Sequence, residues 1–559
     1  MASLLSSVGI ATALILGVWW IRHFRNPLSS SNPPVTAAND SPPPVPHPLS
    51  QKLEAALPQR VLLLHRDGEQ FRESINAYFS GQARDVVQAA IVQPRTADEV
   101  ATAVHIIKEE YDHRQQQQQQ QSRSCSETED VLFAVRGGGQ SPVASSASAH
   151  GGVLIDLTHL REVTVAEDRE SVTIGAGCRW IDVLDVLDPM GLGVVGGRSN
   201  VVGVAGFTLG GGISFYTPQY GLACSNVFSY DVVLASGEIV TATATSHPDL
   251  WRALKGGANN FGIVTRFTMR CFPCTPLWAG FIWAPGFEIT KALRALHDSV
   301  QRVDPHRNAG QVDLFAAGAI TCYTYVQSLR LRVIAQHLTY TKPPEQPKKW
   351  PVFWQQSGFS RLWRFGSTPC VRTASSAIKE MLHTGFIGQR NSFGTTTIHN
   401  DLATMLAVRE VFDEAMGAMR RMKGVYFNLV MQPLLPSWTA KGDPNMLGIH
   451  ESTDTPLIIV SLSFTWASSQ DDAYVGSVTR GIIEKIDAVA NAKGTGHPYR
   501  FLNYCEKWQR PLEGYGEENL RLLRRVAGEY DPDGLFQRGC IGGFKLHPEA
   551  TSTDGKALA

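Results

Sequence analysis

Arg136-Gly-Gly-Gly-Gln-Ser-Pro142 follows directly on the apolar run Val131-Leu-Phe-Ala-Val135 and places three glycines where the chain must turn. Glycine permits positive φ at such a turn and leaves consecutive backbone N–H groups free to converge on an anion such as a pyrophosphate. Taken alone, the triplet reads first as a tight turn. It is not a G-x-G-x-x-G opening a helix with an acidic residue about twenty positions on, so the Rossmann reading fails. A second cluster, Gly196-Gly-Arg-Ser-Asn-Val-Val-Gly-Val-Ala-Gly-Phe-Thr-Leu-Gly-Gly-Gly-Ile-Ser214, carries no charged residue beyond Arg198. A chain so bare of side chains suits close backbone approach to a large ligand. Tyr220-Gly-Leu-Ala-Cys-Ser-Asn226, Leu254-Lys-Gly-Gly-Ala-Asn-Asn-Phe-Gly-Ile-Val-Thr265, Phe501-Leu-Asn-Tyr504 and Tyr530-Asp-Pro-Asp-Gly-Leu-Phe-Gln537 extend the pattern. The one C-x-x-C, Cys271 and Cys274, has no second pair and no His at ligand spacing, so it reads as inert thiols and no metal site is expected. His150, in a serine-alanine stretch, reads as an ordinary loop histidine.

A framework must hold these segments in place. With 559 residues, 43% hydrophobic and 18% charged, the chain exceeds one compact core and should divide into at least two domains. Lys plus Arg equals Asp plus Glu at 51 each, so no whole-protein field recruits a polyanion and nucleic acid is not expected as a partner. Nine cysteines without regular spacing describe neither a disulfide framework nor a zinc module. Leu4 to Ile21 is apolar and uncharged, and Arg22, His23 and Arg25 follow at once. With Trp19 and Trp20 where a cleavage site would want small residues, residues 1–25 read as an uncleaved single-pass membrane anchor. Positive charge on its C-terminal flank favours a cytosolic body, and the one N-x-S/T sequon, at Asn39, lies outside that body.

Residues 26–50, rich in Pro, Ser, Asn and Ala, read as an extended linker, and 547–559 as a disordered tail. Gln115 to Gln121 reads as a disordered surface insertion. Short apolar runs at 152–157, 171–175, 231–234, 238–240 and 261–267 predict strands, with helices at 98–110, 180–187 and 249–254 among them. From about Pro276 to Tyr499 longer helices (289–303, 404–422, 473–491) alternate with strands such as 311–317 and 457–465, as in one antiparallel sheet covered by helices. Residues 501–546 return to the glycine and aromatic style of the first part.

In this order the glycine segments resemble the vanillyl-alcohol-oxidase-type (PCMH-type) FAD-binding family, and within it the berberine-bridge-like oxidases of fungi and plants. The resemblance covers roughly Arg60 to Leu546 and implies an α+β fold. An FAD-binding domain (51–272) is completed by a returning C-terminal segment (500–546), and a substrate domain (273–499) of antiparallel sheet covered by helices is inserted between them. It implies that Arg136, Gly137, Gly138, Gly139, Gln140 and Ser141 wrap the pyrophosphate of FAD. Gly203, Gly206, Gly210, Gly211, Gly212 and Ser214, with Gly262, Ile263 and Val264, would lie along the rest of the dinucleotide, and Asn503 and Tyr504 near the flavin. Pro94 matches the turn that opens the family's first small subdomain. Two departures stand out. Gln140 occupies the place of the histidine that bonds the flavin 8α carbon, and Ser199 the place of the cysteine that adds a second bond in bicovalent relatives. Non-covalent FAD is therefore expected, and with it a weaker oxidant. Ser225 for the usual Asp and Ala258 for the usual Gly are smaller departures.

The resemblance implies hydride transfer from a small organic, specialised-metabolite substrate to flavin N5, a protein base taking a proton, and reoxidation by dioxygen. Tyr504 is the leading candidate for the base because its motif lies at the flavin. Tyr426 and Gln432, on Val425-Tyr-Phe-Asn-Leu-Val-Met-Gln-Pro433, could face the same pocket, as could Ser461 or Ser463, although half the residues of any strand face the other way. Trp350, Phe353, Trp354 and Trp363 would either line an apolar site or pack their own loop. The alternative activity is a non-redox cyclase on the same fold.

Overall fold

The computed structural model describes residues 48–546 apart from 122–130, 309–311, 347, 382–386, 420–421, 423–424 and 541. The expected anchor at 1–25, nearly all of the linker and the tail at 547–559 lie outside the described residues. Among the described residues no helix is long and apolar enough to cross a membrane. The last linker residues already belong to a helix, Pro48–Ala56, whose Leu49 and Leu53 are buried.

Val153–Asp156 is apolar along three of its four positions because it is buried on both faces and lies parallel to its neighbours, Ala90–Val92 and Phe133–Arg136. With Val61–Leu62 these form a four-stranded sheet. The helix Ala97–Gln121 contributes Val100, Val104, Ile107 and Tyr111 to the same core. This helix corrects the reading of Gln115 to Gln121 as a disordered insertion. Glutamine is a fair helix former, and a helix already anchored by four apolar residues extends through it at little cost. A six-stranded sheet follows, in which Ile263–Pro273 lies between Ser171–Gly175 and Val227–Val233 and also pairs with Leu192–Val194.

The third sheet has nine strands among the described residues. Its backbone order runs through Leu277–Pro285, Leu331–Tyr340, Ala316–Val326, Tyr426–Leu434, Leu457–Trp466 and Arg390–His399, each antiparallel to the next. The strand expected at 311–317 instead starts at Ala316, because Asp313 turns the chain by accepting from the Phe315 N–H. The helices Ile289–Arg302, Leu402–Met419 and Asp472–Ala492 cover one face. Phe427, Leu429 and Met431 point to them, and Phe427 stacks between Phe412 and Phe464 at 4.3 and 4.0 Å.

Directly paired antiparallel residues share a face, so the register also assembles the opposite side. There Asn428, Val430 and Gln432 join Ser463, Ser461 and Ile459, and beyond them Phe393, Thr395 and Thr397. The three long helices lie on the other face. This polar side meets the first part of the chain, as Phe215 stacked on His337 at 5.5 Å shows. The chain end then returns: the Leu132 N–H donates to the Gly539 carbonyl, the Gln537 amide to Asn260, and Tyr111 to the Asp533 carbonyl. The fold is thus the α+β arrangement with an inserted sheet domain that the family resemblance implied.

Candidate active site

Arg136 and Asp156 are register partners at the carboxyl ends of adjacent parallel strands, and their side chains pair at 2.7 Å with both almost fully buried. Arg136 also donates to the Ser74 carbonyl and lies over the Tyr78 ring. Its charge is therefore spent inside the fold, and the residue offers a ligand its position at the base of the glycine turn. Burial pushes the Tyr78 hydroxyl up to about 12.

Beyond Arg136 the two glycine clusters meet. A Cβ on Gly203 would lie 2.5 Å from the Gly138 nitrogen, and one on Gly138 equally close to Gly203, so only a glycine pair permits this crossing. The crossing is tied down by ladder bonds from the Trp180 N–H to the Val202 carbonyl and from the Val204 N–H to the Cys178 carbonyl. Among the described residues, the N–H groups of Gly137, Gly138, Gly139, Gln140 and Ser141 have no protein acceptor, and neither do those of Gly203, Ala205 and Gly206. A Cβ at Gly206 would meet nothing within 4 Å. A run of unpaired amide donors beside a strip of chain without side chains fits a pyrophosphate-bearing dinucleotide such as FAD.

The other expected residues take varied places. The Gln140 amide folds back onto the Gly138 carbonyl at 3.2 Å. Ser141 donates to Ser146, and the Ser214 hydroxyl accepts from the Tyr216 N–H, so both hydroxyls serve their own turns. Gly211 and Gly212 adopt positive φ, and a Cβ on them would strike Leu447 and Phe207. Gly262 backs onto Val233, while Ile263 and Val264 are buried ladder residues of the six-stranded sheet. These three present only backbone to any ligand. Asn503 lies against Gly210 and donates to the Gly206 carbonyl at 3.1 Å, leaving its buried Oδ1 without a partner.

Across from these loops stands a cluster drawn from three parts of the chain. Arg198 Nη2 donates to Gln432 Oε1 at 2.7 Å and to the Tyr504 hydroxyl at 3.4 Å. The Tyr504 ring packs edge-on against Phe501 and Phe393. His337, stacked on Phe215 and met edge-on by Phe281, hydrogen-bonds Thr339 through Nδ1 and leaves Nε2 unpartnered. Burial, with the Arg198 and Arg372 charges, pushes this imidazole down to about 3, so it is neutral at physiological pH. Ser461 is buried beside Thr395 on the same face.

The structure brings Tyr504 and Gln432 together but not Tyr426. Tyr426 opens the strand that carries Gln432, and six positions of strand separate them by roughly 20 Å. Ser463 lies two positions beyond Ser461, where its carbonyl accepts from Asn428. The four aromatics lie away from this cluster. Phe353 and Trp354 belong to the helix-covered core, Trp350 packs on Trp278, and Trp363 is exposed beside Phe287. Of the four only Phe353 and Trp354 pack on each other, with ring centroids 4.8 Å apart. Arg198 and His337 were missed as site residues. The signal for Arg198 was its being the single charge in the second glycine cluster; His337, inside an ordinary strand pattern, gave none.

Residues 88–243 match the family model described as an FAD binding domain. An FAD-dependent monooxygenase (FUP4) of Fusarium proliferatum is 32% identical over 483 residues, covering 85% of this chain and 88% of its own. Among solved structures, glucooligosaccharide oxidase of Acremonium strictum superposes with a TM-score of 0.67 at 17% identity, covering 90% of this chain and all of its own. The berberine bridge enzyme of Eschscholzia californica gives 0.64 at 14%, covering 89% and 99%. The chain belongs to the vanillyl-alcohol-oxidase-type FAD-binding family, with the berberine-bridge-like oxidases and fungal FAD-dependent monooxygenases, and is an FAD-linked oxidoreductase.

Proposed function

We propose that this chain holds FAD without a covalent bond and oxidises a small organic substrate in the cleft between the glycine loops and the polar face of the nine-stranded sheet. The observation that carries the reading is the crossing at Gly138 and Gly203 with its unpaired amides. Backbone N–H groups of Gly137 to Ser141 and of Gly203, Ala205 and Gly206 would hold the pyrophosphate, with Gly210 to Ser214 and Gly262 to Val264 giving backbone along the remainder. On the family resemblance Gln140 stands where a flavin-linking histidine would and Ser199 where a linking cysteine would, and neither a glutamine amide nor a serine hydroxyl forms the bonds of a cysteinyl, histidyl FAD such as that of glucooligosaccharide oxidase. When bound, FAD supplies the hydride acceptor, with dioxygen as final oxidant.

The chain's own contribution is binding, exclusion of water and proton handling. Tyr504, held by packing against Phe501 and Phe393, presents its hydroxyl to the cleft and would accept the substrate proton. The polar face offers Gln432 and Ser461 for orientation, whereas Tyr426 stands too far along its strand to share that task. The domain limits at about 272 and 499, with 500–546 returning, are part of this reading. Acid precipitation tests the cofactor claim: the purified body should be yellow, and all flavin should stay in the supernatant. Flavin in the pellet would show a covalent link and remove the role assigned to Gln140.

A further inference from the structure

Three aromatic side chains stand in solvent at one corner of the nine-stranded sheet. Phe287 is 75% exposed, Trp363 58% and Phe365 37%, and the first two rings lie 6.1 Å apart. Phe287 sits in the turn Gly286–Glu288, between the strand Leu277–Pro285 and the helix Ile289–Arg302. The Phe365 N–H donates to the Trp283 carbonyl of that same strand, which holds the second segment beside the turn. None of the three belongs to an apolar core. Exposed aromatics gathered in one place mark a contact surface, as scattered ones do not.

The charge around them is one-sided. From Lys348 to Phe365 the chain carries Lys348, Lys349, Arg361 and Arg364 and no Asp or Glu, in a protein whose net charge is zero. Lys348, Lys349 and Arg361 are exposed, and among the described residues none of the four pairs with a carboxylate. The Arg364 guanidinium lies over the Trp350 ring at 4.8 Å, which brings the two lysines before Trp350 to the side of Trp363. Glu288, next to Phe287, is buried and bound to Lys291.

Trp and Phe beside Lys and Arg suit a lipid interface, where rings enter the headgroup region and cations meet lipid phosphates. Two observations favour this occupant over a second copy of the chain. A two-fold contact through the corner would bring like cations together. The uncharged run at 4–21 reads as an anchor with its basic flank towards the cytosol, and the cytosolic leaflet is anionic. A linker of about 20 residues spans roughly 25 Å when flexible and about 70 Å when extended, so the body stays within reach of that leaflet.

We propose that Phe287, Trp363 and Phe365, with Lys348, Lys349 and Arg361, form a second membrane contact that lays the folded body against an anionic lipid surface.

The test is co-sedimentation with vesicles of phosphatidylcholine, with and without about 30% phosphatidylserine. A chain starting at residue 48 keeps every residue of the three apolar cores and lacks the run at 4–21. It should bind the phosphatidylserine vesicles at least about 10-fold more tightly than the neutral ones, and salt near about 0.5 M should release it. Lys348→Glu with Lys349→Glu should weaken that binding about 10- to 100-fold. Phe287→Ser with Trp363→Ser should weaken it about 10-fold with the urea midpoint unchanged, since both rings are exposed. The full chain in nanodiscs gives a second reading that does not depend on the shortened chain: amide exchange over 286–288 and 361–365 should be slower on discs with phosphatidylserine than on phosphatidylcholine alone. Absent or equal binding to the two vesicle types, with equal exchange on the two discs, overturns the proposal, and so does binding that both double variants keep. A wild-type dimer that Phe287→Ser with Trp363→Ser returns to monomer would also overturn it, because the corner would then belong to a second copy.

Discussion

Tyr504 ends a short turn, Leu502–Tyr504, where its hydroxyl meets Arg198, while Asn503 beside it is tied to the glycine loop. If its hydroxyl takes the substrate proton, Tyr504→Phe should lower kcat about 100-fold with FAD content unchanged, as stopped-flow flavin reduction and the visible spectrum would show. A variant that keeps most of the reduction rate would move the role to another group. His337 carries a second consequence at this scale. The unfolded chain protonates it near the ordinary ~6.5, whereas the folded chain holds it neutral down to about 3. Its stabilising contribution is thus full above pH ~6.5 and is lost as pH falls toward 3. His337→Phe, which keeps the stacking, should flatten the decline in urea midpoint between about pH 7 and pH 5. An identical decline in both proteins would refute the assignment. The place of Tyr504 next to Asn503 at the glycine loop was legible through its motif, but the neutrality of His337 was not, because burial is a property of neighbours.

The glycine turn after Phe133–Arg136 and the loop Gly196 to Ser214 act as a pair, and their crossing makes separable predictions. Gly203→Ala drives a methyl into the Gly138 backbone and should cost about 1–3 kcal/mol, read as a lower urea midpoint with or without FAD. Gly206→Ala meets open space, so the apoprotein midpoint should hold while FAD affinity falls. If both variants lose only stability, the free amides there serve packing and not a ligand. At this scale the strands of the first region were readable because buried parallel strands are continuous apolar runs, as Val153–Asp156 is. The glutamine run and the strand expected at 311–317 were misread. Glutamine composition says nothing of the helix that reaches it, and a turn at Asp313 delays the strand to Ala316.

For the whole molecule, the sheet domain has one face buried under helices and the other in contact with the first part of the chain, so the cluster of Arg198, Gln432 and Tyr504 forms only once these parts have met. The apolar run at 4–21 predicts that the full chain stays with membranes through alkaline carbonate extraction, whereas a chain starting at residue 48 is released. Release of the full chain would remove the anchor. By itself the sequence determined the family, the FAD-binding character, the absence of a histidine at position 140 and the division into loops and a helix-covered sheet. Those follow from local residue types in order along the chain. Only the tertiary structure decided that Arg198 meets Gln432, 234 positions away, and Tyr504, 306 away. It also decided that Arg136 spends its charge on Asp156 and that the four aromatics lie away from that cluster. A side chain's partner depends on sheet register and domain closure, and neither is written in spacing along one strand.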